Sequence, residues 1–356
     1  MDYQKILTDI LQSEVDSGRE VGAQVCLMKD GKVLADVCVG NMGPGMEDRQ
    51  VKSDTLFPVF STGKAFLATA ALRMVERGEL ELDVPVREIW PEFACNGKEN
   101  VTVRQIFMHR SGVCVRPYYR EIAEINDWDL MRSRVEQHQA MFTPGTATRY
   151  QTVNYGWLLG ELMMRKDPAK RDLRTIIREE SLQFSEPREI WFGVDDEAAA
   201  KTVTLVEYEF PEGIPANPPP WDYELSLIMN TDSIRRDCLP GFNCIASARG
   251  MAAHFDALLQ GKILQKSTID AACVDISTPG DIATHGLGYA IYENSRRFGH
   301  GGYGGSFAGC DRETGISYGY TRVKMGPGMF HEKLMALIAP GAEAVEVDLK
   351  TGQRLN

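Results

Sequence analysis

Several familiar signatures are missing from this 356-residue sequence. No apolar run approaches the roughly 20 residues that span a bilayer, so we expect no membrane association. The eight cysteines follow no pairing pattern and no Cys/His group has zinc-finger spacing, which favours free thiols over disulfides or a metal site. The Gly-x-Ser-x-Gly elbow, the phosphate-binding loop and the His-Glu-x-x-His motif are also missing. The chain therefore lacks the common motifs of hydrolases with a nucleophile elbow, of nucleotide-binding proteins and of zinc proteases.

The charge balance and the N-terminus narrow the class of protein further. A net charge of -11 argues against nucleic acid as a partner. Residues 1–5 carry no basic stretch followed by an apolar segment, so we expect a cytoplasmic location. Hydrophobic residues make up 43% and charged residues 25%, as in an ordinary globular protein with a sizeable core.

Hydrophobic periodicity predicts a helix first and then two strands. Residues 4–17 have helical spacing, whereas residues 21–28 and 32–39 partly alternate around an Asp30-Gly31 step typical of a hairpin. Helical spacing returns in four further segments: 61–77, 102–109, 153–165 and 247–260. Strand patterns follow at 287–292, 305–311 and 316–323, and a last helix is predicted at about 329–338. A loop is predicted over 206–223.

Strands at both ends with helices between them predict an α+β fold. We expect one antiparallel sheet built from both termini and flanked by helices, with a mainly helical subdomain inserted. The chain would form a single unit, residues 1–356, with an α/β part at about 1–58 and 262–356 and a mainly helical part at about 59–261. The active site would lie where the two parts meet.

The pair Ser61 and Lys64 is the first candidate for chemistry. Positions i and i+3 of a helix share a face, so the Lys64 amine can take the Ser61 proton during attack on a carbonyl. The helix N-terminus adds N–H groups that favour an oxyanion. The pKa of Lys64 would have to fall well below its reference of roughly 10.4, through burial or a neighbouring cation. The alternative is an ordinary helix start.

Tyr150 is the second candidate. It follows a turn at Pro144-Gly145 and precedes a helical segment. A phenol there can shuttle protons if a nearby lysine lowers its pKa from roughly 10. A half-buried loop tyrosine is the alternative interpretation.

The glycine-rich residues 299–306 are the third candidate. They match Gly-x-Gly-x-x-Gly, but a strand pattern rather than a helix follows, which excludes dinucleotide binding. A bulged edge strand lining a pocket or a tight bend remains. His109 ends a predicted helix, and we interpret it as a structural hydrogen-bonding residue rather than a base.

Taken in order, five segments resemble the serine β-lactamase-like superfamily, in the branch of class C β-lactamases, D-alanyl-D-alanine carboxypeptidases and family VIII carboxylesterases. They are Phe57 to Glu81, Val101 to Val113, Pro144 to Glu161, Ser247 to Ala252 and Phe298 to Asp311. The likeness covers nearly the whole chain. It implies a β-lactamase/transpeptidase-like fold and a serine acyl-enzyme, with no metal and no organic cofactor.

The resemblance also implies roles for individual residues. Ser61 would be the acylated nucleophile, with Lys64 and Tyr150 as proton-transfer groups. His300-Gly301-Gly302 occupies the place of the Lys-Thr-Gly strand motif. The backbone N–H groups of Ser61 and Tyr303 would form the oxyanion hole.

Two departures from the family pattern bear on the substrate. Tyr150-Gln151-Thr152 lacks the asparagine of Tyr-x-Asn, so Thr152 stands at a substrate-binding position without the amide that helps hold a β-lactam side chain. His300 replaces the lysine that would pair with a substrate carboxylate. Both changes fit the esterase-like members, whose substrates usually lack that carboxylate.

The sequence therefore predicts a serine hydrolase that cleaves small-molecule carboxylic esters through an acyl-enzyme on Ser61. An acyltransferase, a β-lactamase or an amidase of the same fold is the alternative within the family. A catalytically silent binding protein is the alternative from another class.

Overall fold

The structure is a computed structural model that describes residues 1–184, 189–207, 225–274, 285–326 and 330–338. Its strands are β1 (Gly22–Lys29), β2 (Lys32–Gly40), β3 (Phe57–Phe60), β4 (Ile190–Trp191), β5 (Cys244–Ala246), β6 (Ala290–Tyr292), β7 (Arg297–Gly301), β8 (Phe307–Asp311) and β9 (Ile316–Arg322). Its α-helices are α1 (Tyr3–Asp16), α2 (Gly63–Glu76), α3 (Val103–Phe107), α4 (Trp128–Gln137), α5 (Asn154–Lys166), α6 (Leu173–Glu180), α7 (Asp196–Ala200), α8 (Leu225–Asn230), α9 (Asp232–Arg236), α10 (Ala248–Leu259), α11 (Lys266–Ala272) and α12 (Phe330–Ile338).

Six antiparallel strands form the main sheet, in the order β2-β1-β9-β8-β7-β6. The N-terminal hairpin joins the C-terminal strands through β1 and β9, where Val25 pairs with Tyr320. Asp30 and Gly31 both have positive φ at the hairpin turn, which the Asp-Gly step accommodates. The predicted α+β class, with an antiparallel sheet from both termini, is confirmed.

Helices cover both faces of this sheet. On one face, Leu7 and Leu11 of α1 and Leu334 of α12 pack into a core with apolar residues of β1, β2, β8 and β9. On the other face α10 lies so close to β9 that a β-carbon on Gly319 would lie 2.3 Å from the carbonyl oxygen of Ala248. Each fully buried leucine contributes roughly 1.5–3 kcal/mol to this packing. The sheet therefore includes β7 and is covered on this second face by α10.

Helix α2 runs through the centre of the larger core. Its residues are buried on nearly every side, from Gly63 to Leu72, which is typical of a helix with no face in water. Gly78 follows with a φ of +71° and ends it, as the sequence predicts. Around α2 lie α5, α6 and a second sheet in the order β3-β5-β4. Strands of two to four residues are too short for periodicity to predict them.

Strand β7 departs from the expected edge strand or bend. It is second from the edge of the sheet, paired with β8 throughout and with β6 as far as Gly299. His300 and Gly301 continue beyond the last residue pair of β6, so this end of β7 is open on one side. Of the loop predicted at 206–223, residues 208–223 lie outside the described residues. The division into parts at 59 and 262 stays a prediction.

Within the described ranges, no helix combines the length and the apolar character needed to cross a bilayer.

Folding buries His254 of α10 in its neutral form. The side chain is fully buried, its Nε2 lies 3.3 Å from Thr69 Oγ1, and burial lowers its pKa to about 3. In the unfolded chain the same imidazole takes up a proton near pH 6.5. Between these values the unfolded state binds more protons, so the free energy of unfolding falls as the pH falls.

Replacing His254 by glutamine is therefore expected to make stability less dependent on pH. Between about pH 4 and 6 the slope of the unfolding free energy should decrease by up to about 1.4 kcal/mol per pH unit. Urea unfolding of both proteins across this range measures the slope. His138→Gln, at the half-buried end of α4, serves as control and should change the slope less. Equal slopes for wild type and His254→Gln would contradict the prediction.

Candidate active site

Ser61 lies where strand β3 meets helix α2. β3 ends at Phe60, whose φ of +49° falls in the left-handed region that residues with a β-carbon rarely adopt. Strain of this kind is typical of functional sites, where the surrounding structure holds it in place. Ser61 is half-buried and precedes the first turn of α2, at the position that the sequence pattern predicts.

The Lys64 amine contacts Ser61 directly. Its Nζ lies 2.8 Å from Ser61 Oγ, and the side chain is fully buried. Nζ also donates to the carbonyl oxygens of Thr152, at 2.6 Å, and of Gly241. A neutral amine has two N–H groups and one lone pair. In the neutral form the two N–H groups would be taken up by the two carbonyl oxygens, which would leave the lone pair for the Ser61 hydroxyl proton.

Close backbone contacts bring the Gly241 carbonyl to Lys64. A β-carbon on Gly241 would lie 2.2 Å from the carbonyl oxygen of Val153, and one on Gly156 would lie 2.3 Å from the Gly241 nitrogen. Only glycine fits at these two positions. The sequence patterns do not single out Gly241, since its place after Leu239-Pro240 indicates only a turn.

Burial determines the protonation of Lys64. Removal from water penalises the charged amine and lowers the pKa of Lys64 well below its ordinary value. Among the described residues no carboxylate offsets this shift. Lys64 thereby meets the condition that general-base action requires, because a protonated amine cannot take the Ser61 proton.

Tyr150 lies beside this pair. Lys64 Nζ is 5.0 Å from the centroid of its ring, and its hydroxyl hydrogen-bonds with Ser61. Loss of water around the phenol raises the pKa of Tyr150 above its ordinary value, and the hydrogen bond with Ser61 only partly opposes this. The condition set from the sequence, a pKa lowered by lysine, is not met, because the neighbouring amine is itself desolvated. Tyr150 therefore keeps its proton at neutral pH and can relay a proton rather than act as a phenolate base.

Gln151 links the segment that contains Tyr150 to the segment that contains His109 through hydrogen bonds. Its Nε2 donates to the Ile106 carbonyl at 2.9 Å, and its Oε1 accepts from the Ser111 hydroxyl at 3.0 Å. Its backbone N–H donates to His109 Nδ1 at 3.2 Å. His109 thus has the hydrogen-bonding role expected of it, whereas Gln151 carries no signal in the sequence beyond its place next to Tyr150.

The His300-Gly301-Gly302 motif lies at the open end of β7, against the Ser61 segment. A β-carbon on Gly302 would lie 2.1 Å from the carbonyl oxygen of Val59, so the two backbones touch there. A β-carbon on Gly301 would meet nothing within 4 Å. Glycine at Gly302 therefore permits the approach of β7 to β3, and Gly301 faces open space.

Tyr303 follows the motif in a short 3-10 turn. Its ring packs edge-on against Phe60, with the ring centroids 5.9 Å apart. Thr62 Oγ1 donates to the Ser306 carbonyl at 3.4 Å and ties the same two segments together. The backbone N–H groups of Ser61 and Tyr303 thus belong to adjoining segments, and their action as an oxyanion hole stays a prediction.

Three imidazoles surround the Tyr150 ring. Their centroids lie 4.9 Å (His109), 5.7 Å (His285) and 6.0 Å (His300) from its centroid, and we call the three the histidine cluster. Burial, with a further contribution from Lys64, lowers the pKa of His300 to about 3. His300 is therefore neutral at pH 7 and supplies no cation where the family motif has a lysine. The sequence patterns do not single out His285.

Comparison with known proteins shows the family of this chain. A family model described as Beta-lactamase matches residues 7–342. The chain is 24% identical over 339 residues to the esterase/beta-lactamase LipL of Mycobacterium tuberculosis, covering 83% of this chain and 76% of that protein.

Solved structures give the same result. A family VIII carboxylesterase superposes with a TM-score of 0.81 at 25% identity, over 90% of this chain and 91% of the other. A penicillin-binding protein homologue from Caulobacter crescentus superposes with a TM-score of 0.79 at 28% identity, over the same shares of the two chains. The chain belongs to the beta-lactamase family and is a serine hydrolase.

Proposed function

We propose that this protein hydrolyses carboxylic esters through an acyl-enzyme on Ser61. The observation that carries the proposal is the 2.8 Å contact between Lys64 Nζ and Ser61 Oγ, in buried surroundings that lower the pKa of the amine. A neutral amine at hydrogen-bond distance from a hydroxyl is the arrangement that activates a serine nucleophile.

Acylation begins with attack of Ser61 Oγ on the ester carbonyl carbon, while the Ser61 proton passes to Lys64 Nζ. Collapse of the tetrahedral intermediate breaks the bond between this carbon and the alcohol oxygen. The leaving alkoxide takes the Tyr150 phenol proton, and Tyr150 recovers a proton from Lys64. The alcohol departs neutral, and Lys64 is again an amine.

Deacylation repeats the sequence with water. The water oxygen bonds to the acyl carbon, and its proton passes to Lys64 either directly or through Tyr150. The bond between Ser61 Oγ and the acyl carbon then breaks, and Ser61 takes the proton back as the carboxylic acid leaves. The backbone N–H groups of Ser61 and Tyr303 would stabilise the negative carbonyl oxygen in both halves.

The preference for esters rests on the uncharged side chain of His300. A neutral imidazole there cannot pair with the carboxylate that a β-lactam or a peptide C-terminus carries, so such substrates gain no ion pair. Thr152 contributes its carbonyl to Lys64 and has no amide with which to hold a side chain. The names of the similar proteins, an esterase/beta-lactamase and a family VIII carboxylesterase, support the same class.

A substrate panel tests the ester preference. We expect kcat/KM for p-nitrophenyl butyrate to exceed that for nitrocefin, which carries a carboxylate, by at least about tenfold, because one lost charge-assisted hydrogen bond costs roughly tenfold or more. His300→Lys should narrow this ratio by about tenfold. His300→Gln, which has no charge, is the matched control and should leave the ratio nearly unchanged. Comparable turnover of the ester and nitrocefin by the wild type would contradict the assignment.

An acceptor panel separates hydrolysis from acyl transfer. With p-nitrophenyl butyrate and a series of short alcohols, we expect butyric acid to be the main product at low alcohol concentration. A product profile dominated by the butyrate ester of the alcohol would assign the protein as an acyltransferase, since an acyl-enzyme shielded from water reacts with other nucleophiles.

A further inference from the structure

His285 belongs to no motif singled out in the sequence, yet it contacts each of the rings at the site. Its ring stacks on Tyr150, with centroids 5.7 Å apart and an interplanar angle of 26°. It meets His109 edge-on at 4.8 Å and lies 6.1 Å from His300. The side chain is buried. His285 therefore fills the space among three aromatic groups next to the candidate reacting atoms.

Tyr150 lies outside any helix or strand, so side-chain packing is needed to hold its ring in place. It lies in irregular backbone before α5, so its direction depends on what packs against its ring. His109 contacts the ring at an interplanar angle of 55°, and its own backbone has a φ of +56°. Of the three imidazoles, His285 has the ring plane closest to parallel with the phenol, at 26° against 55° and 37°.

We propose that His285 is a positioning residue for Tyr150, which holds the phenol ring by stacking so that its hydroxyl stays within reach of Ser61 and Lys64. This inference rests on the proposed function, in which Tyr150 relays the proton. A displacement of about 1 Å of a catalytic group can lower a rate by about 100-fold, so a ring contact of this kind is enough to affect turnover. His285 acts through Tyr150 and is not assigned contact with the substrate.

Basic and phenolic groups surround the histidine cluster. Among the described residues, the basic groups facing it are Lys64, His109 and His300, and the phenols beside it are those of Tyr150 and Tyr155. Interaction with His285 contributes to the lowered pKa values of both His109 and His300, as expected when neighbouring imidazoles disfavour a second charge. Within the described residues, no group of three His, Cys, Asp or Glu side chains is arranged to hold a metal ion. Stacking against the Tyr150 ring is the interaction that this geometry supports.

Two variants separate stacking from space filling. His285→Phe keeps a flat ring, whereas His285→Leu fills a similar volume without one. We expect kcat/KM of His285→Phe to remain within about threefold of wild type and that of His285→Leu to fall about 10- to 100-fold, mainly in kcat. Thermal unfolding of both variants shows whether each is folded at the assay temperature. Equal activity of the two variants, whether high or low, would overturn the proposal.

A double-mutant cycle shows whether His285 acts through Tyr150. If it does, His285→Leu should have little further effect in the Tyr150→Phe background, so the double variant should lie within about threefold of Tyr150→Phe alone. Multiplicative losses would place His285 outside the Tyr150 function. A Tyr150→Phe variant as active as wild type would instead refute the proton relay of the proposed function, which keeps the two failures distinct.

Discussion

Replacing Ser61 by alanine is expected to lower kcat/KM for ester hydrolysis by at least about 10⁴-fold, because the variant has no oxygen to form the acyl-enzyme. The backbone N–H groups at the start of α2 remain, so a small residual activity from oxyanion stabilisation is the most that should survive. The helix itself should be intact, since Ser61 precedes its first turn. Hydrolysis of p-nitrophenyl butyrate, followed by absorbance, measures the loss.

The same variant tests the site of acylation. Wild-type protein treated with a fluorophosphonate should gain the mass of one adduct, on the peptide that contains Ser61, and Ser61→Ala should gain none. Ser133→Ala is the matched control, since Ser133 is a half-buried serine on α4 whose hydroxyl donates to a helix carbonyl. It should label and turn over as wild type. Equal labelling of wild type and Ser61→Ala would contradict the assignment of the nucleophile.

Replacing Lys64 by methionine should lower kcat/KM by at least about 10³-fold, because no other base contacts Ser61 Oγ in the described residues at this distance. Lys64→Arg should be equally inactive, since a guanidinium stays protonated and cannot accept the Ser61 proton. A role in which Lys64 supplied only positive charge would instead leave Lys64→Arg active. Rescue by arginine is therefore the outcome that would contradict the base mechanism.

Lys98 offers a matched control for the removal of a buried amine. It is also buried, and its Nζ donates to the carbonyl oxygens of Cys95, at 2.8 Å, and Glu136, at 3.0 Å, away from Ser61. Lys98→Met should destabilise the fold, because the half-buried carbonyl oxygens of Cys95, Glu136 and His138 lose their donor, and leave kcat within about threefold at temperatures where the protein is folded.

The pH dependence of the rate follows from the direction of the Lys64 shift. Burial lowers the pKa of the amine, so Lys64 is neutral and active above that pKa and protonated and inactive below it. We expect kcat/KM to fall only below this lowered pKa and to be level in the region just below pH 10.4, where an ordinary lysine would still be charged. A rate that rose only as the pH approached this ordinary value would contradict a depressed pKa.

Local sequence was enough to predict the elements that carry the site. The apolar stripe of 61–77 indicates α2, and the i, i+3 spacing brings Ser61 and Lys64 together across the turn that leads into it, because such geometry depends only on neighbouring residues. The Asp30-Gly31 step and the strands near the C-terminus predicted the antiparallel sheet for the same reason. Five ordered segments then indicated the family.

The remaining parts of the site depend on contacts between distant segments. The carbonyl of Gly241 accepts from Lys64 across 177 positions of the chain, and His285, which forms an isolated bridge with Ala290 of β6, reaches the Tyr150 ring from another distant segment. Gln151 gains its role from the Ile106 and Ser111 groups that fold against it. Such pairings cannot be predicted from periodicity in the sequence, because no fixed local spacing relates the two partners.

What the sequence determined by itself about Ser61 and Lys64 is their proximity, and what the tertiary structure decided is their state of protonation. Proximity follows from the i, i+3 turn that leads into α2. The pKa values follow from burial, which depends on the whole core around α2: it lowers the pKa of Lys64 towards that of a base and raises that of Tyr150, so the phenol relays a proton instead of accepting one permanently. The same burial leaves His300 neutral, and the proposed preference for esters rests on this.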